Sequence, residues 1–352
     1  MFRFYFKKNT FSKKFLPSRF FNSSEYRVER DTFGPINVKA DRYWGAQTQR
    51  SLQNFAIGTS EDKMPMSVIK AMAIVKKSAA KVNMRYGLKE DIGNGIINAA
   101  NEVLEGKIDS HFPLVIFQTG SGTQTNMNVN EVLSNRASTF INKKVHPNDD
   151  VNRSQSSNDT FPTAMHVAVN LEFHKLLLPT LQSLESNLLR KSKEFESLIK
   201  IGRTHLQDAT PLTLGQEISG YYTQVHNHIN HLNENVKYIQ QLAQGGTAVG
   251  TGLNTRKGFD EAIAQEITSE TGIPFVTAPN KFEALATHDA LTHFSGTLNS
   301  LATSLYKIAH DIKILSRELT ELSVPDVNPC DELLMSCIQV IGNHNAVSAG
   351  SK

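Results

Sequence analysis

The chain has 352 residues, 39% hydrophobic and 20% charged, with a formal net charge of +3. That length can bury a large core spread over two or three domains, and the composition is that of an ordinary globular protein. No run approaches the roughly 18 apolar residues of a membrane span. Cys330 and Cys337 fit neither a disulfide framework nor a metal site, and read most simply as reduced thiols.

The charge is unevenly placed. Arg3, Lys7, Lys8, Lys13, Lys14 and Arg19 precede the first acid, Glu25, so the remainder carries a net −3. Phe2, Phe4, Phe6, Phe11, Phe15, Phe20 and Phe21 alternate with these bases, and serines are scattered among them. A basic, aromatic, acid-free leader over 1–24 is expected to be a mitochondrial transit peptide. The alternative, a nucleic-acid-binding tail, sits poorly with an acidic body, and no nucleic-acid or membrane partner is expected.

Residues 30–64 are turn-rich. Val68, Met72, Val75 and Val82 recur at helical spacing and predict a helix over 67–84, followed by a second over 89–104. Two polar loops are expected at 118–130 and 146–163, split by a short helix through Leu133 and Phe140. Beyond Met165 the character changes. Leu177, Leu181, Leu184 and Leu188 form one stripe, and Ile218, Val225, Ile229, Leu232, Val236 and Ile239 another. The clearest runs Leu291, Phe294, Leu298, Leu301, Leu305, Ile308, Ile312, Leu315, Leu319 and Leu322, alternating spacings of three and four. Such a period specifies a left-handed bundle, with a helix of about 50 Å over 288–322. A bundle shared between subunits accounts best for that length; one within the chain is the alternative. Residues 25–164 thus form an N-terminal domain and 165–352 a central helical bundle.

Four polar islands interrupt this pattern. The first, Gln118 to Asn128, holds Gly120-Ser121-Gly122-Thr123, where glycines let backbone N–H groups approach a ligand and a following helix start favours an anion. No Gly-Lys-Ser/Thr follows, which excludes a P-loop. The second, His146-Pro147-Asn148-Asp149, runs into Asp150 to Thr163, a stretch of hydroxyls and amides that is a solvated loop on the bland reading and an anion-binding one otherwise. The third, Gly202 to Pro211, places His205 in a linker between long helices, where it could exchange a proton near neutral pH. The fourth, Gly245 to Asn254, reads as an architectural turn. His226, His228 and His231 lack the companions of a metal site and read as a solvated helix face.

Together these islands resemble the fumarase/aspartase superfamily, class II fumarate hydratases most closely. The resemblance rests on Tyr43-Trp44-Gly45-Ala46-Gln47-Thr48, Gly120 to Thr123, His146 to Asp149, Ser154 to Pro162 and Gly202 to Pro211. Aspartate ammonia-lyases are similar but differ around Tyr43-Trp44 and Thr204-His205. The resemblance implies a mainly α fold with a long central helical bundle and a smaller mixed N-terminal domain. It also implies reversible hydration of fumarate to malate in the tricarboxylic acid cycle, without metal or organic cofactor, in a homotetramer whose active sites are shared between subunits. Proton abstraction beside a carboxylate builds a doubly charged intermediate, so donors aimed at that charge are the main catalytic resource. Ser121, Gly122, Thr123, Ser156, Ser157 and Asn158 would then bind substrate carboxylate. Thr204 would orient the substrate, and His205 would handle the water proton through a nearby acid. His146, Pro147, Asn148 and Asp149 resemble a secondary dicarboxylate site.

One departure stands out. The family pattern has a loop, Gly-Ser-Ser-x-Met-Pro-x-Lys-x-Asn-Pro, whose serine is the carbon-proton base and whose lysine binds a carboxylate. Here Leu322-Ser323-Val324-Pro325-Asp326 leads straight to Val327-Asn328-Pro329, so that only Val327 and Asn328 stand where substrate contacts are expected. The family's small C-terminal domain has no counterpart before Lys352. A chain so altered is expected to be a fumarase by descent with impaired turnover, or a non-catalytic assembly subunit.

Overall fold

The computed structural model describes residues 25–319 and 322–351, so the transit-peptide expectation for 1–24 lies outside the described residues. The chain opens with an antiparallel hairpin, β1 (Tyr26–Asp31) and β2 (Gly34–Lys39). Helices α1 (Ala46–Asn54), α2 (Met66–Met84), α3 (Glu90–Leu104) and α4 (Thr123–Ile141) follow. A π-helical turn, Pro147–Val151, leads to α5 (Ser157–Glu172), which passes through a second π turn, Phe173–Leu177, into α6 (Leu178–Glu194). The hairpin β3 (Ile199–Thr204) and β4 (Gln207–Thr213) precedes α7 (Leu214–Ile239). Then come β5 (Gln241–Leu242), α8 (Phe259–Thr271), β6 (Val276–Thr277), α9 (Lys281–Ala286) and α10 (Asp289–Lys313). A third π turn, Ile314–Glu318, ends α10, and α11 (Asn328–Gly350) packs back along it.

Two apolar clusters organise these elements. The first joins Met72, Val75 and Val82 of α2 to Ile96 and Val103 of α3, Leu133 of α4, Val167 of α5 and Ile263 of α8. The second lies inside the bundle, where Leu181 of α6, Val225, Leu232 and Val236 of α7, and Phe294, Leu301 and Ile308 of α10 interdigitate. Fully burying each such side chain contributes roughly 1.5–3 kcal/mol. The α10 stripe resolves into two rows. Phe294, Leu301, Ile308 and Leu315, each seven apart, are buried, while Leu291, Leu298, Leu305 and Ile312 pack beside them partly covered.

The bundle of α6, α7, α10 and α11 forms within one chain and buries one row of the stripe, Phe294, Leu301, Ile308 and Leu315. Among the apolar residues left exposed are Met335, Ile338 and Val347 of α11, at 64%, 57% and 40%.

Both predicted polar loops are half helix. Thr123 to Asn130 forms the first turns of α4, a helix of 19 residues rather than a short one, and Ser157 opens α5. Asn126, Asn128 and Asn130 are buried there, so an apolar period was never available to read. The histidine trio is corrected too. His228 is buried in the bundle against the Ser304 hydroxyl at 2.9 Å, and His226 contacts Glu185 at 2.6 Å, rather than all three facing solvent.

Candidate functional site

Two helix starts converge on one polar surface. Gly122, the N-cap of α4, has φ +69°, and a Cβ there would fall 2.1 Å from the Phe161 ring of α5. Only glycine permits both that backbone and that approach. The Gln118 side chain caps α4 in place of a hydroxyl, accepting the Thr125 N–H at 3.0 Å. Ser121 and Thr123 stand exposed at the rim, their hydroxyls 3.0 Å apart.

At the start of α5, Ser156 and Asp159 form a capping box: the Ser156 hydroxyl accepts the Asn158 N–H at 3.2 Å, and Asp159 accepts the Ser156 N–H at 2.9 Å. Ser157 Oγ accepts a hydrogen bond from Asn126 Nδ2 at 2.9 Å. Asn158 is exposed, and one of its amide hydrogens reaches the Ala248 carbonyl at 2.8 Å. Ser121, Thr123, Ser157 and Asn158 thus share one rim between two helix N-termini, whose partial positive charge suits a carboxylate.

The floor beneath this rim is buried and carries ionisable groups. Lys76 of α2 is fully buried, donating to Asn152 Oδ1 at 2.7 Å and Gln155 Oε1 at 3.0 Å. Asp159, also 0% exposed, accepts the Gly245 and Thr247 N–H groups at 3.0 and 2.9 Å, tying the fourth island to α5. Burial pulls the Lys76 ammonium down to about 7, with Asp159 opposing. Burial likewise pushes the Asp159 carboxyl up to about 6, against its backbone donors and Lys76. Glu131 of α4 plays an anchoring part nearby, its carboxylate accepting the N–H groups of Gly45, Gln47 and Thr48 at 2.8 to 3.1 Å and so pinning the Tyr43 to Thr48 segment.

His146 caps the π turn that precedes the floor, its Nδ1 accepting the Asn148 and Asp149 N–H groups at 3.3 and 3.1 Å; Pro147 is the first residue of that turn. Thr204 and His205 are elsewhere. They lie on the β3–β4 hairpin, with Thr204 opposite Gln207 and His205 and Leu206 as the two turn residues at φ +52° and +63°. Two positive φ values define a type I′ turn, which aims His205 into solvent rather than leaving it in a plain linker. A cavity of about 490 Å³ lies under the tip, lined by Arg203, His205, Leu206, Glu217, Lys307 and Asp311. Val327 and Asn328 sit at the start of α11, where Asp326 accepts the Asn328 N–H at 2.9 Å.

The rim at Ser157 and the hairpin after Glu194 are separated by the unbroken run of α5, the π turn and α6. At roughly 1.5 Å per residue that run is about 55 Å long. One chain therefore does not bring His205 to Ser157 and Asn158.

Lys76 and Glu131 were not singled out by sequence reasoning. Lys76 had a signal: Met72, Ala73, Ala79 and Ala80, three and four residues away on either side, are all buried, so its side chain leaves the helix on the core face.

Known proteins share this architecture. The fold superposes on a class II fumarase from Schistosoma mansoni with a TM-score of 0.88 and 42% identity, covering 92% of this chain and 76% of that one. A fumarate lyase:delta crystallin from Brucella melitensis gives a TM-score of 0.85 and 33% identity, covering 92% and 75%. A long-helix bundle with a smaller polar lobe of this kind is the fumarase/aspartase fold. In sequence, a lyase family model matches residues 34–328. The mitochondrial fumarate hydratase 1 of Arabidopsis thaliana is 57% identical over 350 residues, 93% of this chain and 71% of its own length. The human mitochondrial fumarate hydratase is 54% identical over 356 residues, covering 95% and 70%. The chain belongs to this lyase family, on its class II fumarate hydratase branch.

Proposed function

We propose that this chain is built to hydrate fumarate reversibly to malate in mitochondria, with a homotetramer sharing each active site between subunits. In this reading Ser121, Thr123, Ser157 and Asn158 hold a substrate carboxylate between two helix starts, with Gly122 and Ser156 shaping those starts. Thr204 and His205 reach the same substrate from another subunit, His205 moving the water proton. His146, Asn148 and Asp149 form a second dicarboxylate position on the approach. The observation that carries the shared site is the separation of the rim from the hairpin along one helix of about 55 Å. The apolar residues left exposed on α11 supply a surface for assembly.

The sequence from Leu322 to Val327 has Ser323 but no lysine, and it lacks the Gly-Ser-Ser-x-Met-Pro-x-Lys pattern of the expected catalytic loop. A positioned general base contributes about 10²–10⁴ in rate and one charge-stabilising donor about 10²–10³. The chain as it stands should therefore bind fumarate and turn it over slowly, and restoring a loop with both groups between Leu322 and Val327 should raise the rate by at least about a hundredfold. Fumarate loss followed by ultraviolet absorbance, with the two versions side by side, tests this. Equal fast turnover by both would overturn the need for the loop, and release of ammonia from aspartate would overturn the substrate. Sedimentation of the same samples should give the mass of four chains; a stable monomer would contradict shared sites.

A further inference from the structure

A lysine buried to 0% exposure is costly, and replacing such a charge by an apolar side chain of similar volume is often neutral or stabilising. Stability alone therefore gives little reason for Lys76. Its hydrogen bonds give a better one.

The ammonium donates to two amide oxygens, Asn152 Oδ1 and Gln155 Oε1. This turns both side chains oxygen-inward, so their NH₂ groups face the loop and bond the carbonyls of Gln155, and of Val151 and Arg153, at 3.0 to 3.2 Å. Seven residues on, along the same face of α2, Asn83 takes the Ser154 hydroxyl at 2.9 Å and donates to the Arg153 carbonyl at 2.9 Å. The loop that carries Ser154 at φ +62° is thereby clamped from below.

The orientation is then passed on. Asn152 Oδ1, fixed inward by Lys76, also accepts from Asn126 Nδ2 at 3.2 Å. Asn126 spends its second amide hydrogen on Ser157 Oγ at 2.9 Å, and its own Oδ1 is buried without a partner among the described residues. Reversing the Asn126 amide would let Ser157 donate to it, but would set its oxygen against that of Asn152, whose orientation Lys76 holds. Ser157 therefore accepts from inside the protein, and its own hydrogen is left to point outward. A serine in that state donates to an anion. With the relay reversed, Ser157 would donate inward and present only lone pairs, which a carboxylate repels.

We infer that Lys76 is a positioning residue, which through Asn152 and Asn126 sets the Ser157 hydroxyl as a donor to the substrate carboxylate. Lys76 touches no ligand itself. The inference rests on the proposed carboxylate rim at Ser157, and the measurement below separates the two.

The test is a double-mutant cycle on fumarate affinity, read by titration calorimetry on the full chain: wild type, Lys76→Met, Ser157→Ala and the pair. Each single change is expected to weaken binding about tenfold, and the double to bind no more than two- to threefold weaker than either single, since both remove the same hydrogen bond. Folding is checked by circular dichroism and thermal melting, and Lys76→Gln replaces Lys76→Met if the latter does not fold. A merely structural lysine would lower the melting temperature and leave the affinity of the folded fraction unchanged, which would overturn the inference. Multiplicative losses, about a hundredfold in the double, would also overturn it, because the two residues would then act independently. Failure of wild type to bind fumarate would instead sink the rim reading, and this inference with it.

Discussion

Gly122 carries two constraints that a single methyl group would violate: a left-handed backbone at φ +69° and a Phe161 ring at 2.1 Å from its missing Cβ. Gly122→Ala should destabilise the chain by about 2–5 kcal/mol, combining overpacking with backbone strain. Adding Phe161→Leu should recover only the packing part, and denaturant melts of the three forms would show full recovery if strain were absent. His166 supports a second prediction. It lines a cavity of about 400 Å³ with His288, His293 and Glu283, and its Nδ1 meets the Gln241 carbonyl at 3.0 Å. Burial holds its imidazole down to about 4, from an ordinary 6.5, so the unfolded chain takes up the proton first on acidification. Its contribution to stability is thus complete above pH 6.5 and is lost as pH falls towards 4. Against His166→Gln, the wild-type advantage in thermal melts should shrink between pH 7 and pH 4.5. A gap that stays constant or widens would refute the burial argument.

The elements differ in how openly the sequence announces them. The stripe of α10 was legible because its apolar residues have nothing to do except pack, and the spacing survives into the rows at Phe294 and Leu301. The helices α2 and α3 were legible for the same reason. The first half of α4 was not, since Thr125, Asn126 and Asn128 are buried while bonding Gln118, Asn152, Ser157 and His111, and periodicity detects only apolar burial. The chemical character of the rim could be read from residue types, while its buried floor could not, because the loop's partners Lys76 and Gly245 lie far from it in sequence. The β3–β4 hairpin was hidden too: its turn is His205-Leu206, where the usual residues of a type I′ turn are Asn, Asp and Gly. Leu206 is 65% exposed at φ +63°, so it loses in strain what it does not regain in packing. Leu206→Gly should therefore stabilise the chain by about 1 kcal/mol, visible as a higher melting temperature. A drop instead would mean that the exposed leucine is held by contacts beyond its own chain.

On the scale of the whole molecule, the helix from Ser157 to Glu194 fixes where the rim ends and the hairpin begins. It behaves as a gauge with phase as well as length. One residue added within α6 moves everything beyond it by about 1.5 Å along the axis and about 100° around it. His205 would then face a different neighbour, and the buried row at Leu181 would rotate out of the bundle. Seven added residues turn it by nearly two whole turns and leave the phase almost intact, though they lengthen the span by about 10 Å. The π turn at Phe173–Leu177 is the geometry that absorbs a single extra residue locally, just where the helix leaves the polar lobe for the bundle. Drift between lobe and bundle is thus taken up at that one place, and the remainder of the strut is held to its register by sites that it never touches.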